Sequence, residues 1–197
     1  MRRHVVAFTV LAVMIAATPP AAVAGDDVPA ATGCLIHRFT DQPEAGRKTL
    51  EFSGQNLERV WERVCDNARA DAYVPRGSGM NDWSRMVTVN VYPPGPDAQA
   101  YLKSYLDRVR PHLAGKPRVF QSHRDHRERF LAEMLVQPPG GDRLEYILHG
   151  VTSREGAPPS SYTYSYRFDP DDQAAFDRLK KRQADWLKAL QGLVDGD

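Results

Sequence analysis

The stretch ADAYVPRGSGMNDWSRMVTVNVYPP, residues 70–94, sets two apolar runs on either side of Pro75-Arg76-Gly77-Ser78-Gly79. In the second run Val87, Val89 and Val91 alternate with Met86, Thr88, Asn90 and Tyr92. That is the period-two pattern of a β-strand with two distinct faces. Pro75 has a fixed φ and no amide hydrogen, which suits a strand end. The glycines permit positive φ where the chain reverses. A phosphate-binding loop would instead lead from a strand into a helix N-terminus, usually with a lysine. Here the loop passes through Asn81-Asp82-Trp83 into another strand. The reading is strand, turn, strand, with Trp83 packed over the turn.

Working outward, residues 118–122, 127–137, 143–151 and 161–168 also read as strands, and PPGGD at 138–142 reads as a tight turn between the middle two. Gln55 to Asp66 fits both periods. Leu57, Val60, Trp61 and Val64 make a helical stripe, whereas Val60, Glu62 and Val64 make a strand face. Two helices are predicted. One starts at Gly95-Pro96-Asp97, carries Tyr101, Leu102, Tyr105, Leu106 and Val109 as its apolar stripe, and is closed by Pro111. The other starts at Asp169-Pro170-Asp171-Asp172, with Asp169 as cap and Pro170 at the first helical position. Its buried face is Phe176, Leu179, Trp186, Leu190 and Leu193, and Gly192 weakens its end. Together these predict an α+β domain, an antiparallel sheet covered by two helices.

The chain opens MRRHVVAFTVLAVMIAATPPAAVAGDD. Arg2 and Arg3, the apolar run Val5 to Ala17 and the Ala22-Val23-Ala24 site have the form of a secretory leader cleaved near Ala24. An uncleaved anchor is the competing reading, which Pro19-Pro20 and the small residues disfavour. The domain plan is then residues 1–24 as signal peptide, 25–48 as a flexible mature N-terminus and 49–197 as a single α+β domain. The protein is expected in the periplasm or secreted, with no membrane span in the mature chain. The formal net charge is +1, with 26 basic and 25 acidic residues interspersed. That balance excludes nucleic acid as a main partner and supplies no polybasic strip for anionic lipid. Cys34 and Cys65 are the only two cysteines. In an oxidising compartment they are expected to form a disulfide, contributing about 3–4 kcal/mol on the chain-entropy model. Ala31-Thr32-Gly33-Cys34 is faintly similar to a lipid-attachment site, but Asp26 and Asp27 part it from the apolar run.

The residues Tyr73-Val74-Pro75-x-Gly77 and Trp83-Ser84-x-Met86-Val87-Thr88-Val89 carry a resemblance. They look like the motif of a group of small exported proteobacterial proteins of uncharacterised function, Y-V-P-x-G-E followed by N-W-x-x-M-I-T-V-Q. Ala72, Ser78 and Asn90 depart from that pattern. The order of elements over residues 48–194 is similar to the PsbP-like sandwich, found in an extrinsic photosystem subunit, a nuclear-import factor and bacterial envelope lipoproteins. The resemblance implies docking, accessory or ligand-binding work, and it brings neither catalytic residues nor a cofactor.

Among residues that could carry chemistry, His123-Arg124-Asp125-His126 offers two imidazoles for a metal, with a third ligand to come from His112 or His149. Arg124, Arg127 and Arg129 would repel a divalent cation, so a solvated loop is the plainer reading. Tyr162, Tyr164 and Tyr166 alternate along one strand with Phe168 on the same face. They are either the seat of a helix or, if open, a binding face. Glu145 and His149 share a strand face and could form an acid–base pair. Asp171 and Asp172 have a sufficient explanation in capping. The sequence thus points to a non-catalytic binding or accessory protein with an envelope protein or small ligand as partner. The alternatives are a small metal-dependent hydrolase using His123 and His126, and an immunity or inhibitor protein against an envelope toxin.

Overall fold

Alternation along the chain becomes a nine-stranded sheet in which every paired neighbour is antiparallel. The computed structural model describes residues 34–39, 48–65, 67–124 and 127–196. The strands are β1 (Cys34–Arg38), β2 (Thr49–Phe52), β3 (Gln55–Cys65), β4 (Ala68–Pro75), β5 (Arg85–Val91), β6 (Arg118–Arg124), β7 (Arg127–Val136), β8 (Leu144–Arg154) and β9 (Ser160–Phe168). Their order across the sheet is β1-β3-β4-β5-β9-β8-β7-β6, with β2 also on β3. Helix α1 (Ala98–Val109) and a single 3₁₀ turn, Arg110–His112, lie between β5 and β6, and helix α2 (Gln173–Gly196) follows β9. The meander β6 to β9 returns to lay β9 against β5, so the central pairing joins distant parts of the chain.

The expectation of a sheet covered by two helices, the PsbP-like sandwich, is overturned. The protein is a sheet-rich fold with one long and one short helix. The two helices lie on opposite faces: α1 packs on β7 and β8, and α2 on β8, β9 and β2. Strands spaced about 4.8 Å apart make a nine-stranded sheet far wider than one helix, whose diameter is about 10 Å. Two other devices therefore close the β3–β5 wing. On the α1 side, the segment between β4 and β5 folds back so that Trp83, only 1% exposed, packs with Val60, Ala72, Val74 and Met86. On the opposite side, Arg59, Glu62, Asp71 and Arg69 form an ion-pair ring, with N–O distances of 2.8–3.0 Å.

The strand–turn–strand reading of residues 70–94 describes β4 and β5. Gly77 sits at φ 83 in the turn closed by the Ser78 amide donating to the Pro75 carbonyl at 3.0 Å. Gln55 to Cys65 is a strand, and its double periodicity has a physical source. A β-bulge between Arg59 and Trp61 lets Val60, Trp61 and Val64 depart from strict alternation. β1 lies within the stretch 25–48 read as a flexible N-terminus. It is paired along its length with β3 and joined to it by the Cys34–Cys65 disulfide. The leader residues 1–24 and the cleavage site lie outside the described residues.

Helix α1 begins at Ala98, just past the predicted Gly95-Pro96-Asp97, so Asp97 is its cap and not part of its first turn: its carboxylate accepts from the Ala100 amide at 2.8 Å. Helix α2 begins later than the sequence suggests. Asp169-Pro170 makes a turn, with the Asp172 amide donating to the Asp169 carbonyl at 3.0 Å. Asp172, not Asp169, is the side-chain cap, accepting from the Ala175 amide at 3.0 Å. The helix continues past Gly192 to Gly196.

Candidate functional site

The tyrosine ladder of β9 is closed. Tyr162, Tyr164 and Tyr166 are at most 5% exposed and pack under α2 with Phe52, Tyr146, Leu148 and Leu190. Trp186 lies 5.0 Å from the Tyr164 ring and 5.1 Å from that of Tyr166, at tilted angles favourable for aromatic pairs. Phe52 stacks on Tyr164 at 4.6 Å. These rings form the core rather than an open surface.

At one end of this core the packing leaves a crevice lined by Phe52, Ser53, Gln55, Leu57, Arg85, Tyr164, Arg182 and Trp186, with about 10 Å³ of free space inside. That is room for about one water molecule. The local chain explains it. Ser53 at φ 51 and Gly54 at φ 75 form a two-residue hairpin turn between β2 and β3. This lifts the Ser53 hydroxyl toward α2, where it accepts from Arg182 Nη2 at 3.1 Å. Arg85, at the start of β5, donates to Gln55 Oε1 at 2.5 Å. Tyr164 lines the crevice, and its hydroxyl has no hydrogen-bond partner among the described residues. Burial pushes the phenol well above its ordinary range, opposed by the nearby charges of Arg85 and Arg182, so it stays protonated and able to donate.

A wider concavity lies on the other side of the molecule. The loop 94–97 before α1 and the loop 154–159 between β8 and β9 bound a groove of about 530 Å³, with Glu128 and Ser153 at its side. Its volume falls in the range of ligand pockets, about 300–1,000 Å³. Pro94, Pro96, Pro158 and Pro159 hold its walls in fixed backbone conformations, and Asp97, Glu128 and Glu155 outnumber Arg154.

Glu145 and His149 lie on the same face of β8, as the sequence indicates, but each is committed to its own partner. Glu145 is fully buried and accepts from Arg167 at 2.6 and 3.0 Å, and Arg167 stacks over the Trp83 ring at 3.9 Å. Burial raises the Glu145 carboxyl above the usual range, and Arg167 only partly counters it. His149 stacks on Tyr105 at 3.8 Å, and its Nδ1 is 2.8 Å from the Thr163 hydroxyl. Burial first, and Arg108 second, lower its pKa to about 3, so the ring is neutral at physiological pH.

His123 lies near the end of the edge strand β6, and His126 lies outside the described residues. Among the described residues no three His, Cys, Asp or Glu side chains converge as a metal set, and no helix is long and apolar enough to cross a membrane. Sequence reasoning missed the crevice because Arg85, Arg182 and Ser53 come from three distant segments. The one local signal was Ser53-Gly54, a turn dipeptide.

A family model matches residues 45–194. The chain belongs to that family. No curated protein matches the chain. The matched span contains both concavities and leaves β1 outside.

Proposed function

We propose that this is an exported, non-catalytic binding or accessory protein that receives a segment of an envelope protein, or a small ligand, in the groove between the two proline-bearing loops. The reading is supported chiefly by that groove, at about 530 Å³ a recess of ligand size with walls already set by four prolines. Preset walls lose little conformational freedom on binding. Export is supported by the leader-like residues 1–24 and by the Cys34–Cys65 disulfide, which suits an oxidising compartment such as the periplasm. The resemblance to small exported proteobacterial proteins, carried by Tyr73 to Val89, agrees with such a role.

A photoreactive side chain at Ala157, in the groove, tests it in the native cell envelope. A discrete adduct is expected from Ala157 and none from the same probe at Lys180 on the exposed side of α2. No adduct at Ala157, or the same adducts from both positions, overturns the proposal.

A further inference from the structure

The crevice beneath the β2–β3 turn is remote from the groove and has its own chemistry. A hydroxyl buried without a partner costs about 1–3 kcal/mol relative to one that is satisfied. Tyr164 is 1% exposed and its hydroxyl lacks a protein partner among the described residues, so it has a hydrogen left to donate to an atom from outside the protein. The neighbouring groups define that atom. Arg85 and Arg182 are both half-exposed at the rim, and each spends one N–H on a neutral acceptor, Gln55 Oε1 and Ser53 Oγ. Arg182 also has Asp185 on its outer side, with Nε 3.2 Å from the carboxylate, and Asp185 does not line the crevice. The lining therefore carries two guanidinium groups and no carboxylate. Tyr164, Arg85 and Arg182 thus line one recess of about 10 Å³, room for about one oxygen atom.

We propose that this crevice binds a single oxyanion group, one oxygen accepting from the Tyr164 hydroxyl and the others accepting from Arg85 and Arg182. Carboxylate and phosphate share this chemistry, and both are presented by metabolites and by cell-envelope polymers. The site differs from a plain cationic patch in its buried donor. Its hallmark is a requirement for the phenol oxygen as well as for the charges.

The test is titration of the whole protein with acetate, inorganic phosphate and, as an ionic-strength control, chloride, followed by the ring resonances of Tyr164 and by thermal stability. Saturable shifts at Tyr164 with acetate or phosphate, and none with chloride, are expected, and the stronger of the two names the oxyanion class. Tyr164→Phe keeps the ring packed and removes only the oxygen. It is expected to weaken binding about tenfold, as for loss of one hydrogen bond to a charged acceptor. Arg85→Gln and Arg182→Gln each weaken it by a similar factor or more. If Tyr164→Phe binds the anion as well as the parent does, or if neither anion shifts Tyr164 while an ordered water alone occupies the recess, the proposal fails.

Discussion

One strand, β9, shows the two faces of the sheet side by side. Its even positions Tyr162, Tyr164, Tyr166 and Phe168 point under α2, and its odd positions Ser161, Thr163, Ser165 and Arg167 point the other way. Both sets are buried, apart from the partly exposed Arg167. The aromatic face is held by area and ring contacts, which are non-directional and insensitive to pH. The other face is held by specific pairs: Asn90 donating to the Ser161 hydroxyl at 3.1 Å, Tyr92 on that hydroxyl at 2.8 Å, Thr163 with His149, and Arg167 with Glu145. On this second face named polar partners add direction to the apolar packing beneath α1. The same backbone thus carries two kinds of stability with different responses to acid.

That contrast can be broken or sharpened in order of expected effect. Trp186→Ala removes the ring that tilts over Tyr164 and Tyr166 and should cost about 3–5 kcal/mol, measured by chemical denaturation, with little change between pH 5 and 8. Arg167→Ala strands Glu145 as a buried charge and should cost a similar ~3–5 kcal/mol at neutral pH. Its penalty should shrink as the solution is acidified, because protonation removes the unpaired charge. If both variants show the same pH dependence, the distinction between the faces is lost.

Gly150→Ala should cost about 1–3 kcal/mol, since the added carbon would lie 2.5 Å from Val194 Cγ2 where α2 crosses β8. Val194→Ala in the same chain should recover part of that loss, and strict additivity would show that the close approach is not the cause. The smallest effect at neutral pH is His149→Phe, about 1 kcal/mol for the lost partner of Thr163. Its signature lies in pH. A histidine held at about 3 when folded and 6.5 when unfolded gives stability that is complete above pH 6.5 and declines as pH falls toward 3. Glu145 has the opposite sign: with its folded value raised, acid relieves a cost present at higher pH. Removing His149 should therefore flatten the loss of stability between pH 6.5 and 3, and an unchanged acid-unfolding curve would refute its role.

The legibility of the fold follows the same division. Val87, Val89 and Val91, and the alternating tyrosines, could be read because large apolar side chains at period two have one stable use. Ser161, Thr163 and Ser165 look like a water-facing row, and only the chain laid over them makes them interior. β1 was hidden for a related reason: Leu35 and Ile36 are 66% and 56% exposed, so the strand is specified by pairing with β3 rather than by a buried face. The shift of the α2 cap from Asp169 to Asp172 reflects competition among the aspartates at 169, 171 and 172, each of a type able to cap a backbone amide. Beyond the Ser53-Gly54 turn the crevice could not be read, since its donors come from β5, β9 and α2 and meet only in the packed fold.

The sulfur link at the sheet margin has a mechanical consequence. Cys34 is the first residue of β1 and Cys65 the last of β3. Tension arriving along the chain from the N-terminal side reaches β3 through a covalent bond before it loads any rung of the β1 ladder. A tug that would peel a simple edge strand away is instead delivered to the interior of the sheet, where many hydrogen bonds resist it in shear.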